Sequence, residues 1–135
     1  VQAPATGFDY FGGGGFKQMR GPKGDQKSVF DVFKEYGYQI ANSREAFDKL
    51  QKGDELVLAV NHSLDPDDAL PFPVDWEETD VTLAEYVKRG IVLLDNREGC
   101  FMMAEGGKVD WACHANDALS AIMEVSAFDE AVEVA

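Results

Sequence analysis

The chain has 135 residues, the size of a domain that can bury a core, and its 45% hydrophobic content excludes a wholly disordered acidic polypeptide. Its net charge is -13, with eight basic and six acidic side chains in residues 1–53 but four basic and 19 acidic ones in residues 54–135. Such an acidic surface argues against general binding of nucleic acid or anionic membrane unless the basic N-terminal stretch acts alone, whereas a protein partner or a cation would suit it.

Cysteines and apolar runs indicate the compartment. Cys100 and Cys113 are the only cysteines, too few for a disulfide framework, although a single bridge is possible. No apolar run approaches the roughly 20 residues that span a bilayer, and no signal segment opens the chain. We therefore expect a cytoplasmic or particle-associated protein.

Residues 1–27 differ from the rest in being rich in glycine and lysine, with four consecutive glycines. Within them, Phe8, Tyr10 and Phe11 predict a short first strand, and an extended tail is the equal alternative. We therefore divide the chain into a Gly-rich basic arm or loop followed by a single α/β domain at 28–135.

Helical periodicity begins at Ser28, a candidate cap, and the apolar stripe ends at Gly37. Residues 38–41 then predict a strand. A second helix, with Ser43 as its candidate cap, precedes a nearly continuous apolar strand at 55–60. Continuous apolar character is typical of a parallel strand that is covered on both faces.

A third unit has the clearest helix start, because Thr82 and Glu85 form a capping-box pattern. Gly90 predicts the end of this helix, and residues 91–94 predict a further buried strand. Beyond it, residues 100–104 predict a strand and residues 117–134 a long helix.

Three repeats of helix, glycine and strand favour an α/β fold with a small doubly wound, mainly parallel sheet. The expected architecture is flavodoxin-like, with three α/β/α layers and a Gly-rich N-terminal arm. It depends on the segments 38–41, 55–60 and 91–94 lying side by side in one direction.

The segments SVFDVFKEYGYQIANSREAFDKLQKGDELVLAV and LAEYVKRGIVLLDN resemble DUF4350-type domains, relatives of the class I glutamine amidotransferase-like flavodoxin fold. In that family a helix is followed by GY-x-V, L-x-x-x-D-x-L-V-L and L-x-x-Y-V-x-x-G-G-x-L-V. The resemblance covers residues 27–96 and implies a doubly wound sheet without an assigned catalytic site.

Lys23, Lys27 and Ser28 form a candidate anion site, because they adjoin a Gly-rich loop at the start of a predicted helix. Residues 21–28 match a phosphate-binding P-loop except that Gln26 replaces the second glycine, where a side chain obstructs the phosphate cradle. A solvated basic arm is the alternative interpretation.

A second candidate site lies where the predicted strands end, since open α/β sheets bind ligands at the carboxyl ends of their strands. Its candidate residues are Asn61, His62, Asp95, Asn96 and Cys100. For Cys100 we favour a buried structural role over a catalytic one, because no strand-to-helix elbow surrounds it.

The loop that follows residue 60 is long and acidic. Asp65, Asp67 and Asp68 form a candidate divalent-cation site there, although the spacing does not match an EF-hand loop. A solvated run of charge is the alternative, and no cofactor other than such a cation is expected.

No convincing catalytic set emerges from the sequence. It favours a non-catalytic α/β interaction module, a structural or accessory subunit of a complex or virus particle that docks through its arm. The alternative is a flavodoxin-like or amidotransferase-like domain, with or without enzymatic activity, that binds a small molecule or an anion at the strand ends. The sequence leaves the partner, the strand order and the oligomeric state open.

Overall fold

A computed structural model of the chain describes residues 3–135. The strands are β1 (Tyr10–Gly13), β2 (Gln39–Ala41) and β3 (Val57–Val60). The α-helices are α1 (Val29–Glu35), α2 (Arg44–Asp48), α3 (Leu83–Leu94), α4 (Lys108–His114) and α5 (Ala118–Glu133). Short 3-10 helices lie at Ala3–Thr6 and Pro73–Asp75.

β3 is the central strand of a parallel sheet with the order β1-β3-β2. Val57 pairs with Tyr10 on one side and with Gln39 on the other. All four residues of β3 are buried, as a strand covered on both faces requires. The predicted first strand and the parallel arrangement of segments 38–41 and 55–60 are therefore confirmed.

Helices cover both faces of the sheet. Phe33 of α1 is fully buried and packs in one cluster with Leu58. On the other face, Phe47 of α2 and Tyr86 of α3 pack with Val57, and the two aromatic ring centroids are 5.2 Å apart. Successive residues of β3 thus contribute to opposite clusters, as the pleat of a strand dictates.

α3 continues without interruption to Leu94, so the strand predicted at 91–94 is wrong. The error came from Gly90, which does not end the helix. A Cβ atom at Gly90 would lie 2.7 Å from Sδ of Met102 and 2.9 Å from Cε1 of Tyr10. The glycine therefore allows α3 to approach the aromatic ring on β1 closely, which is a packing requirement rather than a helix stop.

The predicted helix starts are mostly confirmed. The Thr82 hydroxyl accepts a hydrogen bond from the backbone N–H of Glu85, whose side chain accepts one from the N–H of Thr82. Ser43 caps α2 by accepting from the N–H of Ala46. Ser28 occupies the corresponding position of α1 but makes no capping bond with its side chain.

The C-terminal third is helical. α5 confirms the predicted long helix, and Asp117 caps it by accepting from the N–H of Ser120. The strand predicted at 100–104 is wrong, because this segment has no neighbouring strand among the described residues and leaves Phe101 88% and Met103 77% exposed. α4 forms where the sequence had predicted no helix. Every helix within residues 3–135 is too short or too polar to cross a bilayer.

The Gly-rich segment contacts the rest of the fold beyond β1. The N–H of Gly15 donates to the carbonyl of Asp68 at 2.6 Å, and the N–H of Val29 donates to the carbonyl of Met19 at 2.8 Å. Phe16 and Met19 pack against the cluster that contains Phe33. The division of the chain at residue 27 stays a prediction.

Candidate functional site

The carboxyl ends of the strands border a cavity of about 270 Å³. Asn42 directly follows β2 and Asn61 directly follows β3, and both line the cavity together with His62 and Asp68. This is the edge at which open parallel sheets bind ligands. Two of the predicted ligand-edge residues, Asn61 and His62, are therefore together.

Asn61 is engaged in holding the fold. It is 3% exposed, and its side-chain amide donates to the carbonyl of Ser63 and to Oδ1 of Asp80, both at 2.9 Å. Its side-chain oxygen accepts from the N–H of Val81 at 3.2 Å. These bonds close the base of the loop 61–80. His62 is exposed, and its Nε2 lies 3.2 Å from the Thr79 hydroxyl.

The other predicted ligand-edge residues lie elsewhere because the segment before them is helical. Asp95 ends α3 and pairs with Lys52, which lies on the side where β3 begins. Asn96 accepts a hydrogen bond from the N–H of Glu98 at 2.8 Å. Cys100 is free and exposed, so its expected burial is wrong. The structure does not bring these three residues to the edge that Asn61 occupies.

The three aspartates of the candidate cation site have different surroundings. Asp65 Oδ1 accepts from the N–H groups of Asp67 and Ala69 at 2.8 and 2.9 Å, while Oδ2 lies 2.5 Å from Nζ of Lys108. Asp67 pairs with Lys17 at 2.9 Å. Asp68 adopts a φ of 59° in the turn. A cation here would compete with existing partners, and this site stays a prediction.

The predicted anion-site residues are exposed at the start of α1. Lys27 Nζ lies 2.5 Å from Oε1 of Glu35, and Lys23 lies in a turn. The side chain of Gln26 packs against Gly21, since its Cδ lies 2.6 Å from the position that a Cβ atom at Gly21 would occupy. A P-loop has a glycine at the position of Gln26, because a side chain there obstructs the backbone cradle for phosphate. Anion binding by Lys23, Lys27 and Ser28 stays a prediction.

The outward face of α4 carries a pair that the sequence interpretation had missed. Asp110 and His114 are one helical turn apart, and Nε2 of His114 lies 3.4 Å from Oδ1 of Asp110. Their side chains are 74% and 82% exposed. Imidazole nitrogen and carboxylate oxygen at this spacing on a helix are ligands that divalent metals such as zinc accept.

The distance between the two atoms fits a metal ion. Ligand atoms about 2.0–2.1 Å from a tetrahedral zinc ion are about 3.3–3.4 Å apart, and the Asp110 to His114 distance is 3.4 Å. No group of three or more potential metal ligands occurs among residues 3–135.

The sequence contained a usable signal for this pair. The adjacent residues Cys113 and His114 form no ligand pair, because neighbouring side chains point in different directions on any regular element. The informative spacing is D-x-x-x-H, which places both side chains on one face once the segment is helical.

Comparisons with known proteins identify the family of this chain. The alkaline phosphatase family model matches residues 7–135. The repressible alkaline phosphatase of Saccharomyces cerevisiae is 33% identical over 123 residues, which cover 84% of this chain and 22% of the relative. The chain thus spans about a fifth of that protein.

Solved structures give the same family. The alkaline phosphatase of Thermus thermophilus has a TM-score of 0.80 and 26% identity, with 98% of this chain and 28% of that chain covered. A mutant TAB5 alkaline phosphatase described with Mg bound shares the fold at a TM-score of 0.75 and 24% identity, covering 98% of this chain and 36% of its own.

The chain belongs to the alkaline phosphatase family. The resemblance to DUF4350-type domains is therefore wrong, because short helix-Gly-strand motifs recur in many α/β sheets. The interpretation as a non-catalytic structural subunit is also wrong, and the enzymatic alternative agrees better with these relatives. The parallel α/β class stands, but the structural neighbours do not confirm a flavodoxin-like fold.

Proposed function

We propose that this chain is part of a metal-dependent phosphatase and that α4 supplies two of its metal ligands. The Asp110 and His114 pair carries the proposal, because its atoms have the chemistry and the separation that one divalent ion requires. Membership of the alkaline phosphatase family and the magnesium described for the TAB5 mutant support it. The proposed substrates are phosphate esters.

Each residue has a distinct role in this proposal. His114 would bind as a neutral imidazole through Nε2, and Asp110 as a carboxylate through an oxygen that faces it. Because the two residues share one face of a helix, they present both donor atoms to the same point in solvent. A divalent ion held by these two residues would supply Lewis-acid chemistry toward a phosphoryl oxygen or a bound water.

Zinc titration of the 135-residue chain tests the site directly. We expect calorimetry to detect a weak site, since two protein ligands leave the other positions to water. Asp110→Asn and His114→Ala should each abolish that binding. Asp129→Asn, an exposed aspartate on α5, is the matched control and should bind zinc as the wild type does. Equal binding by all four proteins would refute the assignment.

Activity is tested in a complete enzyme. In a hybrid that carries this chain in place of the corresponding segment of Thermus thermophilus alkaline phosphatase, Asp110→Asn should reduce hydrolysis of p-nitrophenyl phosphate about 100-fold or more. The same hybrid with Asp129→Asn should retain its activity. Retained activity in the Asp110→Asn hybrid would contradict the proposal.

The cavity at the strand ends favours a second, additional role. Its position beside His62 and Asn42 supports the predicted binding of a small molecule at this edge. If crystals of the native protein retain a small molecule in this cavity, His62→Ala should weaken its binding. The same change should leave zinc binding at α4 unaffected. The protein partner expected from the sequence remains a prediction.

A further inference from the structure

Lys108, the first residue of α4, is a buried cation. Its side chain is 8% exposed, and Nζ lies 2.5 Å from Oδ2 of Asp65, which is 16% exposed. Nζ also lies 3.9 Å from the ring centroid of Phe72 and 5.7 Å from that of Trp111. Nζ has no hydrogen-bond partner among the described residues, so its contact with Asp65 is an ion pair without hydrogen-bond geometry. Because lysine is rarely buried, this position is a specific feature of the fold.

The buried lysine determines which face of α4 points outward. Lys108 and Ala112 are one turn apart and both are buried. Asp110 and His114 each follow one of these residues by two positions, which rotates them by about 200° to the opposite side of the helix. Any contact that fixes the inward face therefore fixes the direction of the outward pair.

α4 needs such a contact because it has only seven residues. A helix of that length is not stable by itself in water and takes its position from tertiary contacts. Ala112 offers only a methyl group, which packs without a preferred direction. The carboxylate of Asp65 and the ring of Phe72 attract the ammonium group of Lys108 from fixed positions, so they restrict rotation of the helix more than a methyl group does.

The partner of Lys108 is itself held firmly. Asp65 Oδ1 accepts two backbone N–H groups of its own loop, from Asp67 and Ala69. Phe72, in the same loop, supplies the aromatic ring. The loop that follows β3 therefore holds both groups that contact the side chain of Lys108 in fixed positions.

We propose that Lys108 is a positioning residue, which anchors α4 to Asp65 and Phe72 so that Asp110 and His114 present their donor atoms together. This inference rests on the proposed metal pair. Lys108 itself does not touch the metal, and its effect passes through the rotation of α4.

The test compares zinc affinity with local helix order in the 135-residue chain. Lys108→Met should weaken zinc binding about 10-fold or more, as loss of supporting contacts does at metal sites. It should also accelerate amide hydrogen exchange in residues 108–114 but not in α5. Lys108→Arg should restore most of the affinity, since arginine keeps both the charge and the cation–π contact. Lys88→Met, at an exposed position of α3, is the control and should match the wild type.

A second variant covers the case in which Lys108→Met does not fold. The double variant Lys108→Met with Asp65→Asn removes both charges and leaves no buried carboxylate without a partner. It should fold and still show the weakened zinc affinity. Wild-type zinc affinity in a folded Lys108→Met or double variant would overturn the positioning role alone. If the wild type binds zinc no better than Asp110→Asn, both this inference and the proposed metal pair are overturned.

Discussion

The loop 61–80 and the outward face of α4 use their acidic side chains differently. The loop has seven acidic residues, and two of them are bonded within the fold: the half-buried Asp65 to Lys108 and the buried Asp80 to Asn61. α4 has one outward aspartate, which faces His114 and is mostly exposed. A carboxylate with bonded oxygens stabilises the fold, whereas an exposed pair at helical spacing is available for chemistry.

The largest expected effect is the loss of the buried ion pair. Asp65→Ala leaves Lys108 as a buried charge without its partner, so we expect the free energy of unfolding to fall by about 3–5 kcal/mol. Urea denaturation followed by circular dichroism measures it. Asp67→Ala, which removes only an exposed partner of Lys17, should leave the unfolding midpoint unchanged. Equal destabilisation by the two changes would remove the distinction between them.

A smaller effect is expected at the base of the loop. Asn61→Ala leaves the N–H of Val81 and the carboxylate of Asp80 without a side-chain partner, which should cost about 2–3 kcal/mol. His62→Ala removes an exposed side chain and should change the free energy by less than about 0.5 kcal/mol. Thermal denaturation of the two variants tests whether Asn61 closes the loop. A neutral Asn61→Ala would show that the loop is held by other contacts.

Acid should weaken the same ion pair. Burial alone would raise the pKa of Asp65, but the nearby charge of Lys108 and hydrogen bonds from the backbone N–H groups of Ala69 and Asp67 outweigh it and lower this pKa. A lowered carboxyl pKa stabilises the folded state above the unfolded-state pKa of about 3.9, and this stabilisation is lost as the pH falls through the folded-state pKa. The stability difference between wild type and Asp65→Asn should thus be constant above about pH 5 and shrink below about pH 4. A difference that stays constant down to pH 2 would contradict the lowered pKa.

The smallest expected change in stability is on α4. Asp110→Asn and His114→Ala alter exposed side chains and should leave the unfolding midpoint unchanged, although both should abolish zinc binding. Parallel denaturation and zinc titration of each variant test this separation. If either change destabilised the chain as much as Asp65→Ala, the pair would belong to the fold rather than to a site.

The sequence predicted elements whose signals are local. Periodicity and caps were sufficient for α1, β2, β3 and α5. Gly90 misled the prediction because its reason is tertiary: it makes room for Tyr10 and Met102, which are far from it in sequence. The buried position of Lys108 could not be predicted either, since its partners Asp65 and Phe72 belong to a distant loop. The spacing of Asp110 and His114 was visible, but it indicates a site only when the segment is known to be helical.

The strand order also has a consequence for biosynthesis. β1 and β2 never touch, because β3 lies between them and donates or accepts every hydrogen bond of the sheet. A nascent chain that has emerged only as far as Gly53 would hold two strand segments with nothing to pair against. Neither segment can pair into a sheet until Val57–Val60 has been synthesised. Ribosome-bound chains that end before this point should therefore be cleaved by proteases and bound by chaperones.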